Sequence, residues 1–196
     1  MKRFADCTIA LIGLIVFSPM LIIVAILIKM DSRGPVFYRQ VRVARYNNDF
    51  KIFKFRTMFI DADKKGLLTI GGRDSRVTKI GYYLRKSKLD ELSQLINVVL
   101  GDMSFVGPRP EVRSYVSLYT EEQMEVLNVR PGITDLASIE FRNESDLLRE
   151  QDDPNKFYIE VIMQKKLSIN LKYLKKRNLL KDFVVVLKTF QVIVKN

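Results

Sequence analysis

The sequence predicts an α/β fold, predominantly helical with a small β-hairpin, joined to an N-terminal re-entrant membrane helix-break-helix and to interfacial amphipathic helices. Three observations lead there. The long apolar run at the N-terminus is interrupted by Ser18-Pro19. A single pair of alternating apolar stretches follows it, and the periodicity beyond residue 86 is helical. The formal charge of +11 is uneven: +7 over residues 1–60, −4 over 61–160 and +8 over 161–196.

From Ala5 to Ile28 the chain is apolar except for Asp6, Thr8 and Ser18. About 24 helical residues at roughly 1.5 Å each would exceed a hydrocarbon layer of ~30 Å. Proline lacks the donor for the carbonyl four residues back, here Ile15, and its ring clashes there, so a sharp bend is expected. Lys2 and Arg3 precede the run, while Lys29, Arg33, Arg39, Arg42 and Arg45 follow it. The positive-inside bias would hold both ends on one cytoplasmic face, which a helix entering and leaving by one leaflet satisfies. A transmembrane helix with a proline kink is the alternative. A cleaved signal peptide is not expected, because the run is too long and no small-residue cleavage site follows.

Residues 36–43 and 50–55 read as two strands around the turn residues Tyr46-Asn47-Asn48-Asp49. Residues 61–76, with Gly71-Gly72-Arg73-Asp74-Ser75-Arg76, read as a mobile loop, and neither a P-loop nor a dinucleotide signature is present. A helix is expected from Ser87, where Leu89, Leu92, Leu95, Ile96, Val99 and Leu100 share a stripe, Ser87 and Asp90 resemble a capping box and Gly101 stops it. Residues 104–112 are expected to be irregular, since Pro108 and Pro110 fix an extended turn around Arg109. Residues 120–129 read as a capped helix ended by Pro131-Gly132, and 155–174 and 182–194 as helices, each suited either to the headgroup region or to ordinary core packing.

Histidine is absent and Cys7 is the single cysteine. No Ser-His-Asp triad, Cys-His pair, usual zinc site or intrachain disulfide can form. The basic excess carries no recognisable nucleic-acid motif, so anionic lipid is the expected partner and nucleic acid is not. Catalysis would fall to carboxylates, arginines, lysines or hydroxyls. Glu121-Glu122 is explained by helix capping and Asp152-Asp153 by a turn beside Pro154. Asp90-Glu91 also suits a first helical turn, but Arg85, Lys86 and Lys88 come just before it, so an anion would find cations and a helix N-terminus together. A carboxylate held ionised by such surroundings can attack phosphorus while other cations neutralise the phosphate oxygens. Mg²⁺ commonly binds through one or two carboxylates plus substrate phosphates.

The segments "SKLDELSQLINVVLGDMSFVGPRPE" and "RPGITDLASI", with Ser18-Pro19, "GPVFYRQVRV" and "FKFRTM", closely resemble the small monotopic phosphoglycosyl transferases, a family of bacterial sugar transferases. The resemblance covers nearly the whole chain. It implies a re-entrant anchor over residues 1–30 broken at Ser18-Pro19, integrated with a catalytic domain over 31–196 on the cytoplasmic face of a bacterial inner membrane. It implies transfer of a phosphosugar from a UDP-sugar to a polyprenol phosphate, usually undecaprenyl phosphate, releasing UMP and initiating surface glycan assembly. It further implies Mg²⁺, held by Asp90, and a two-step mechanism with Asp90 as nucleophile and Glu91 as its partner.

Arg85, Arg109 in the Pro-Arg-Pro turn and Arg142 are the expected phosphate contacts, since guanidinium forks pair with phosphate oxygens. A structural salt bridge is the alternative for Arg109 and Arg142. Glu111 is expected either to orient Arg109 or to touch substrate. Many relatives continue the Pro-Gly-Ile-Thr motif with Gly-Trp, whereas this chain has Asp135 and Leu136, and Glu140 also departs from the pattern. The rival classes are a noncatalytic membrane-anchored basic interaction protein and a transferase using direct displacement without a covalent intermediate.

Overall fold

In the computed structural model, residues 2–62, 66, 68 and 74–194 are described. Ten α-helices and two two-stranded sheets are defined among them. Helix α1, Lys2–Asp31, is one helix that runs through Pro19. The Ser18 hydroxyl donates to the Ile15 carbonyl at 2.7 Å. That is the acceptor the missing proline N–H would leave bare, so the serine removes one cost of carrying the proline. The break expected at Ser18-Pro19 is therefore not seen as an interruption of the helix.

Both ends of α1 are fastened to the rest of the protein. Near the N-terminus, Asp6 accepts from Ser104 Oγ at 2.7 Å and Arg3 donates to the carbonyls of Val98 and Val99. At the C-terminus, Asp31 accepts from Ile80 N at 2.9 Å, and Arg56 Nη2 donates to Ser32 O at 2.7 Å. Between them Ala10 and Leu14 pack on Leu95 and Val98, while Val24 and Ile28 pack on Phe55 and Leu84. Residues 15–19 form a full turn exposed on every side, and Ile12, Ile15, Val16, Ile22, Ile23 and Ile26 point outward.

Strands β1, Phe37–Val43, and β2, Asp49–Phe55, pair antiparallel with Phe37 opposite Phe55. The turn between them holds Tyr46 and Asn47 at φ 60°. Helix α2, Lys79–Lys86, is capped by Thr78, whose Oγ1 accepts from Gly81 N at 3.0 Å. Residues 63–65, 67 and 69–73 of the expected loop lie outside the described residues. Of its described part, Arg76 is bidentate on Asp74 and donates to the carbonyls of Ala62, Gly66 and Leu68, so one side chain gathers the segment.

The helix expected from Ser87 begins later and differently. Ser87 caps the end of α2, its hydroxyl donating to Tyr83 O at 2.8 Å, and Lys88 adopts a left-handed conformation. Leu89–Gln94 then forms a 3₁₀ turn that leads into α3, Leu95–Leu100, stopped by Gly101 at φ 101°. The capping box of Ser87 and Asp90 is absent because that serine is already spent on the preceding helix. Asn97, fully buried, accepts from Phe53 N at 2.8 Å and donates to Lys51 O at 3.0 Å, while Ser93 Oγ donates to Phe53 O at 3.1 Å. These side chains pair the free edge of β2 as a third strand would.

A second correction concerns residues 104–106. Ser104–Val106 is a strand, β3, pairing in parallel with β4, Gly132–Thr134. The irregular turn expected around Arg109 starts only after it. Between them lie α4, Arg113–Val116, and α5, Glu121–Met124, which Thr120 and Gln123 close with a reciprocal capping box and which tightens into a 3₁₀ turn over Glu125–Asn128. At the β3–β4 crossing a Cβ on Gly132 would lie 2.2 Å from Gly107 N and 2.4 Å from Gly107 O. Gly132→Ala is expected to destabilise by about 3 kcal/mol or more, because backbone rather than a flexible side chain must move. A thermal melt checks this; an unshifted midpoint would show the crossing to be pliable.

The rest is helical: α6, Leu136–Glu140; α7, Glu144–Arg149; α8, Pro154–Phe157; α9, Met163–Lys175; and α10, Leu179–Val194. A wide π-type turn, Tyr158–Ile162, joins α8 to α9, and Tyr158, Ile162, Met163 and Leu167 anchor the largest core cluster. Asp153 caps α8 by accepting from Lys156 N at 2.9 Å, in keeping with a turn role. On α10 the residues Leu180, Phe183, Val184, Leu187 and Phe190 are exposed, while Val185 is buried against Val106 and Tyr173.

Asp182 ties α10 to the start of α1. It accepts from Lys2 Nζ, from Tyr173 OH at 2.5 Å and from Arg177 Nε at 3.3 Å. Burial works to raise its pKa, but the hydrogen bonds from Lys2 and Tyr173 outweigh this and lower it from the ordinary value of 3.8. A depressed carboxylate stabilises above its unfolded pKa and loses that contribution as pH falls through the folded value. Asp182→Asn is therefore expected to cost roughly 2–4 kcal/mol at neutral pH. The difference from wild type should close in melts taken progressively below pH 3.8; a difference that stayed constant with pH would contradict the assignment.

Candidate active site

Asp90 and Glu91 stand in the first 3₁₀ turn after Lys88, beside a cavity of about 790 Å³. Nine cationic and four acidic side chains line it, so its field favours an anionic guest. Asp90 is 8% exposed, and its buried Oδ1 has no hydrogen-bond partner. Glu91 is the opposite case. Its Oε1 accepts from Lys54 Nζ at 2.9 Å and from Arg109 Nη2, and its Oε2 accepts from Arg109 Nη1 at 3.2 Å.

The two neighbouring carboxyls are thereby driven apart. Burial, then the charge of Glu91, pushes the Asp90 pKa up against the opposing pull of Lys54, Lys88 and Arg85. Burial also works to raise Glu91, but Arg109 and Lys54 overcome it and hold the group well below the ordinary carboxylate range. The sequence suggested that surrounding cations would keep Asp90 ionised. In the folded chain the pull of Lys54, Lys88 and Arg85 is outweighed by burial and by Glu91, and the cations that do pair closely, Lys54 and Arg109, pair with Glu91.

Tertiary structure supplies the clamp. Lys54 comes from β2, whose edge is fixed by Ser93 and Asn97 of the Asp-Glu segment itself. Arg109 comes from the Pro-Arg-Pro turn, which leaves β3 and is locked by Asp135. One oxygen of Asp135 accepts from Arg109 N at 2.7 Å and from Asn170 Nδ2 at 3.3 Å, while the other caps α6 through Ser138 N at 2.5 Å. Asp135, 1% exposed, is thus the keystone of that turn. Glu140, also singled out in the sequence, is exposed.

Glu111 does not orient Arg109. It accepts from Tyr158 OH at 2.5 Å and lies 3.5 Å from Arg42 Nη1, while its carbonyl accepts from Val43 N at 2.9 Å. Burial and Glu111 push the Tyr158 pKa far up, so the phenol stays a donor. Arg85, at the end of α2, and Arg142, exposed after α6, both line the cavity. Arg109 forms the salt bridge weighed for it, whereas Arg142 makes no ion pair among the described residues. Ser18 and Pro19 lie on α1 and are not among the cavity residues.

Lys54, Arg42, Tyr115, Tyr158, Glu144, Lys166 and Ser138 also line the cavity and were not evident in the sequence. Lys54 left one trace, a lysine inside the apolar alternation of "FKIFKF". The Glu144–Lys166 pair, 2.7 Å apart, joins elements 22 positions distant, which no local pattern reports. Among the described residues no cluster of three or more acids or cysteines exists to hold a metal outright.

The family model described as "Bacterial sugar transferase" matches residues 1–196. The chain belongs to that family. A relative in Aeromonas hydrophila, named UDP-N-acetylgalactosamine-undecaprenyl-phosphate N-acetylgalactosaminephosphotransferase, is 37% identical over 195 residues, covering 98% of this chain and 43% of the relative. One in Escherichia coli (strain K12), named UDP-glucose:undecaprenyl-phosphate glucose-1-phosphate transferase, is 38% identical over 168 residues, covering 84% of this chain and 36% of the relative. A Caulobacter vibrioides protein with that same name is 32% identical over 192 residues, covering 96% of this chain and 67% of the relative. This bacterial sugar transferase chain therefore spans less than half the length of the first two relatives. The membership expected from its motifs is borne out.

Proposed function

We propose that the protein transfers a phosphosugar from a UDP-sugar to a polyprenol phosphate, undecaprenyl phosphate in a bacterial inner membrane, with release of UMP. The observation that carries this reading is Asp90, a carboxylate with an unpartnered oxygen in the lining of a cationic cavity, beside a Glu91 already neutralised by Lys54 and Arg109. The names of the relatives support the substrate classes.

In the first step an Asp90 oxygen forms a bond to the β-phosphorus, and the bond from that phosphorus to the bridging oxygen breaks. The bridging oxygen and its electron pair leave with UMP. In the second step a phosphate oxygen of the lipid attacks the same phosphorus and returns the Asp90 carboxylate. Two displacements let the nucleotide depart before the lipid arrives. Clamped by Lys54 and Arg109, Glu91 keeps its charge paired and leaves Asp90 as the open oxygen. Arg85 and Arg142 are placed at the cavity to pair with phosphate oxygens.

The donor set fits Mg²⁺: one unpartnered carboxylate oxygen, with substrate phosphates completing the hard oxygen shell. Asp90 would hold it, and its charge would offset that of the diphosphate facing the nucleophile. Chelation with EDTA is expected to abolish UMP release and added Mg²⁺ to restore it; release undiminished by chelation would remove the metal from the scheme.

The anchor is proposed to be monotopic. Arg3 and Asp31, at opposite ends of α1, both bond to the same body, while residues 15–19 stand clear of it. A span with its ends on opposite sides could not make both sets of contacts. The turn at Ser18-Pro19 is the part proposed to dip into one leaflet, with the outward apolar face of α10 at the headgroups. The basic ends support a reading in which this face lies against anionic lipid on the cytoplasmic side.

A panel of UDP-sugars with Mg²⁺ and polyprenol phosphate tests the function through UMP release. Sugar-labelled donor added without lipid is expected to leave label on the protein. Turnover with no retained label would favour direct displacement, and no UMP from any sugar would favour a noncatalytic role.

A further inference from the structure

Lys88 sits at φ 57°, ψ 16°, directly after the serine that caps α2. Helices commonly place glycine at this left-handed position, because a Cβ there crowds the following carbonyl. Tyr46 and Asn47 share the conformation inside a hairpin turn that demands it. At residue 88 a glycine or asparagine would close the turn with less strain, yet the chain carries a long cation.

That cation has no structural work inside the protein. Its side chain is exposed, lines the cavity with Asp90 and Glu91, and forms no hydrogen bond or ion pair among the described residues. The neighbouring acids are occupied: Glu91 by Lys54 and Arg109, Glu111 by Arg42 and Tyr158, and Glu144 by Lys166. Its charge still reaches both members of the Asp-Glu pair, favouring their ionised forms. Strain retained beside a binding cavity, at a residue without an internal partner, points to a guest.

We propose that Lys88 is a substrate-contacting residue whose ammonium binds a phosphate oxyanion entering the cavity beside Asp90. The inference rests on the phosphosugar-transfer reading. Two sources offer that chemistry, the diphosphate of the nucleotide sugar and the phosphate of the acceptor lipid. Lys88 follows α2, which packs through Leu84 on Val24 and Ile28 of the apolar α1 and brings Tyr82, Arg85 and Lys86 to the cavity, so the segment carrying Lys88 links the anchor to the cavity lining.

The test compares full-length wild type with Lys88→Gly, Lys88→Asn and Lys88→Arg in lipid nanodiscs. Glycine and asparagine suit the backbone, so both variants are expected to melt at or above wild type. Both should lose about 10- to 100-fold in kcat/KM, the range of a charge-assisted contact, while arginine stays within about threefold of wild type. Single-turnover labelling without lipid separates the sources. Slow labelling assigns the contact to the nucleotide diphosphate; normal labelling with a raised KM for polyprenol phosphate assigns it to the lipid.

Lys88→Gly with wild-type kinetics in both half-reactions would overturn the proposal, as would Lys88→Arg failing as badly as glycine. A glycine variant that melted well below wild type would overturn the claim that the lysine is kept there at the expense of backbone ease. Wild type that released no UMP from any donor would overturn the transfer reading itself, and this assignment with it.

Discussion

Asp90→Asn is expected to slow UMP release by roughly 10⁴-fold or more while leaving the protein as stable as wild type or more so. The rate falls because an amide oxygen carries no charge to attack phosphorus and cannot form the proposed acyl phosphate. Stability moves the other way for the reason that makes Asp90 suitable. Its Oδ1 is buried without a partner, and its pKa is raised by burial and by Glu91. A carboxyl whose folded pKa lies above its unfolded value is a liability to folding at every pH where it is ionised. The amide removes that charge beside Glu91, and a gain of about 1 kcal/mol is in keeping with other relieved functional sites. Melting and UMP release on the same preparation check both halves. A variant that releases UMP at the wild-type rate removes Asp90 from the nucleophile's role; one that unfolds shows that the carboxylate has structural duty.

Glu91→Gln is expected to be damaging for stability and activity together. Glu91 neutralises two cations at once, through contacts to Lys54 and both terminal nitrogens of Arg109. Removing the central charge of such a triad leaves two poorly hydrated cations facing each other, and losses of about 3–5 kcal/mol accompany the breaking of comparable buried pairs. The Glu91 side chain is 15% exposed, and those of Lys54 and Arg109 are 22% and 32% exposed, so some solvent screening places the expected loss toward the lower figure. Because the Glu91 pKa is depressed, its contribution is complete above the unfolded carboxylate value and disappears as pH falls through the folded one. Wild type and Glu91→Gln should therefore differ in melting temperature at neutral pH and converge under strong acid. Lys54→Met in the glutamine background should recover part of the loss, since it removes one of the stranded cations; a double variant no better than the single would refute mutual repulsion as the cause.

Much of the site was legible residue by residue. Asp90 and Glu91 stood out as adjacent acids with cations before them, and Arg109 as an arginine fixed between two prolines, because those features are local in the chain. The hairpin was legible for the same reason, as were the helix capped at Thr120 and the one expected from residue 155. The start of the Asp-Glu helix was misread because Ser87 suits two roles, N-cap or C-cap, and the choice depends on α2 ending where it does. Strand β3 was hidden because three residues carry no period of their own; it exists only because Gly107 and Gly132 let two backbones approach.

The available chemistry is written in residue type and spacing alone: no histidine, one cysteine, adjacent acids after a run of cations, an arginine between two prolines, and a long apolar run with basic flanks. Those are properties of residue type and near-neighbour spacing, which survive without a fold. Which of the two adjacent carboxylates is neutralised and which keeps an unpaired oxygen is settled by long-range folding, because it depends on Lys54 arriving from β2, Arg109 from the turn after β3, and Asp135 holding that turn in place. Charge acts through space over a few ångströms, and in a folded chain the groups within that distance are seldom neighbours in sequence.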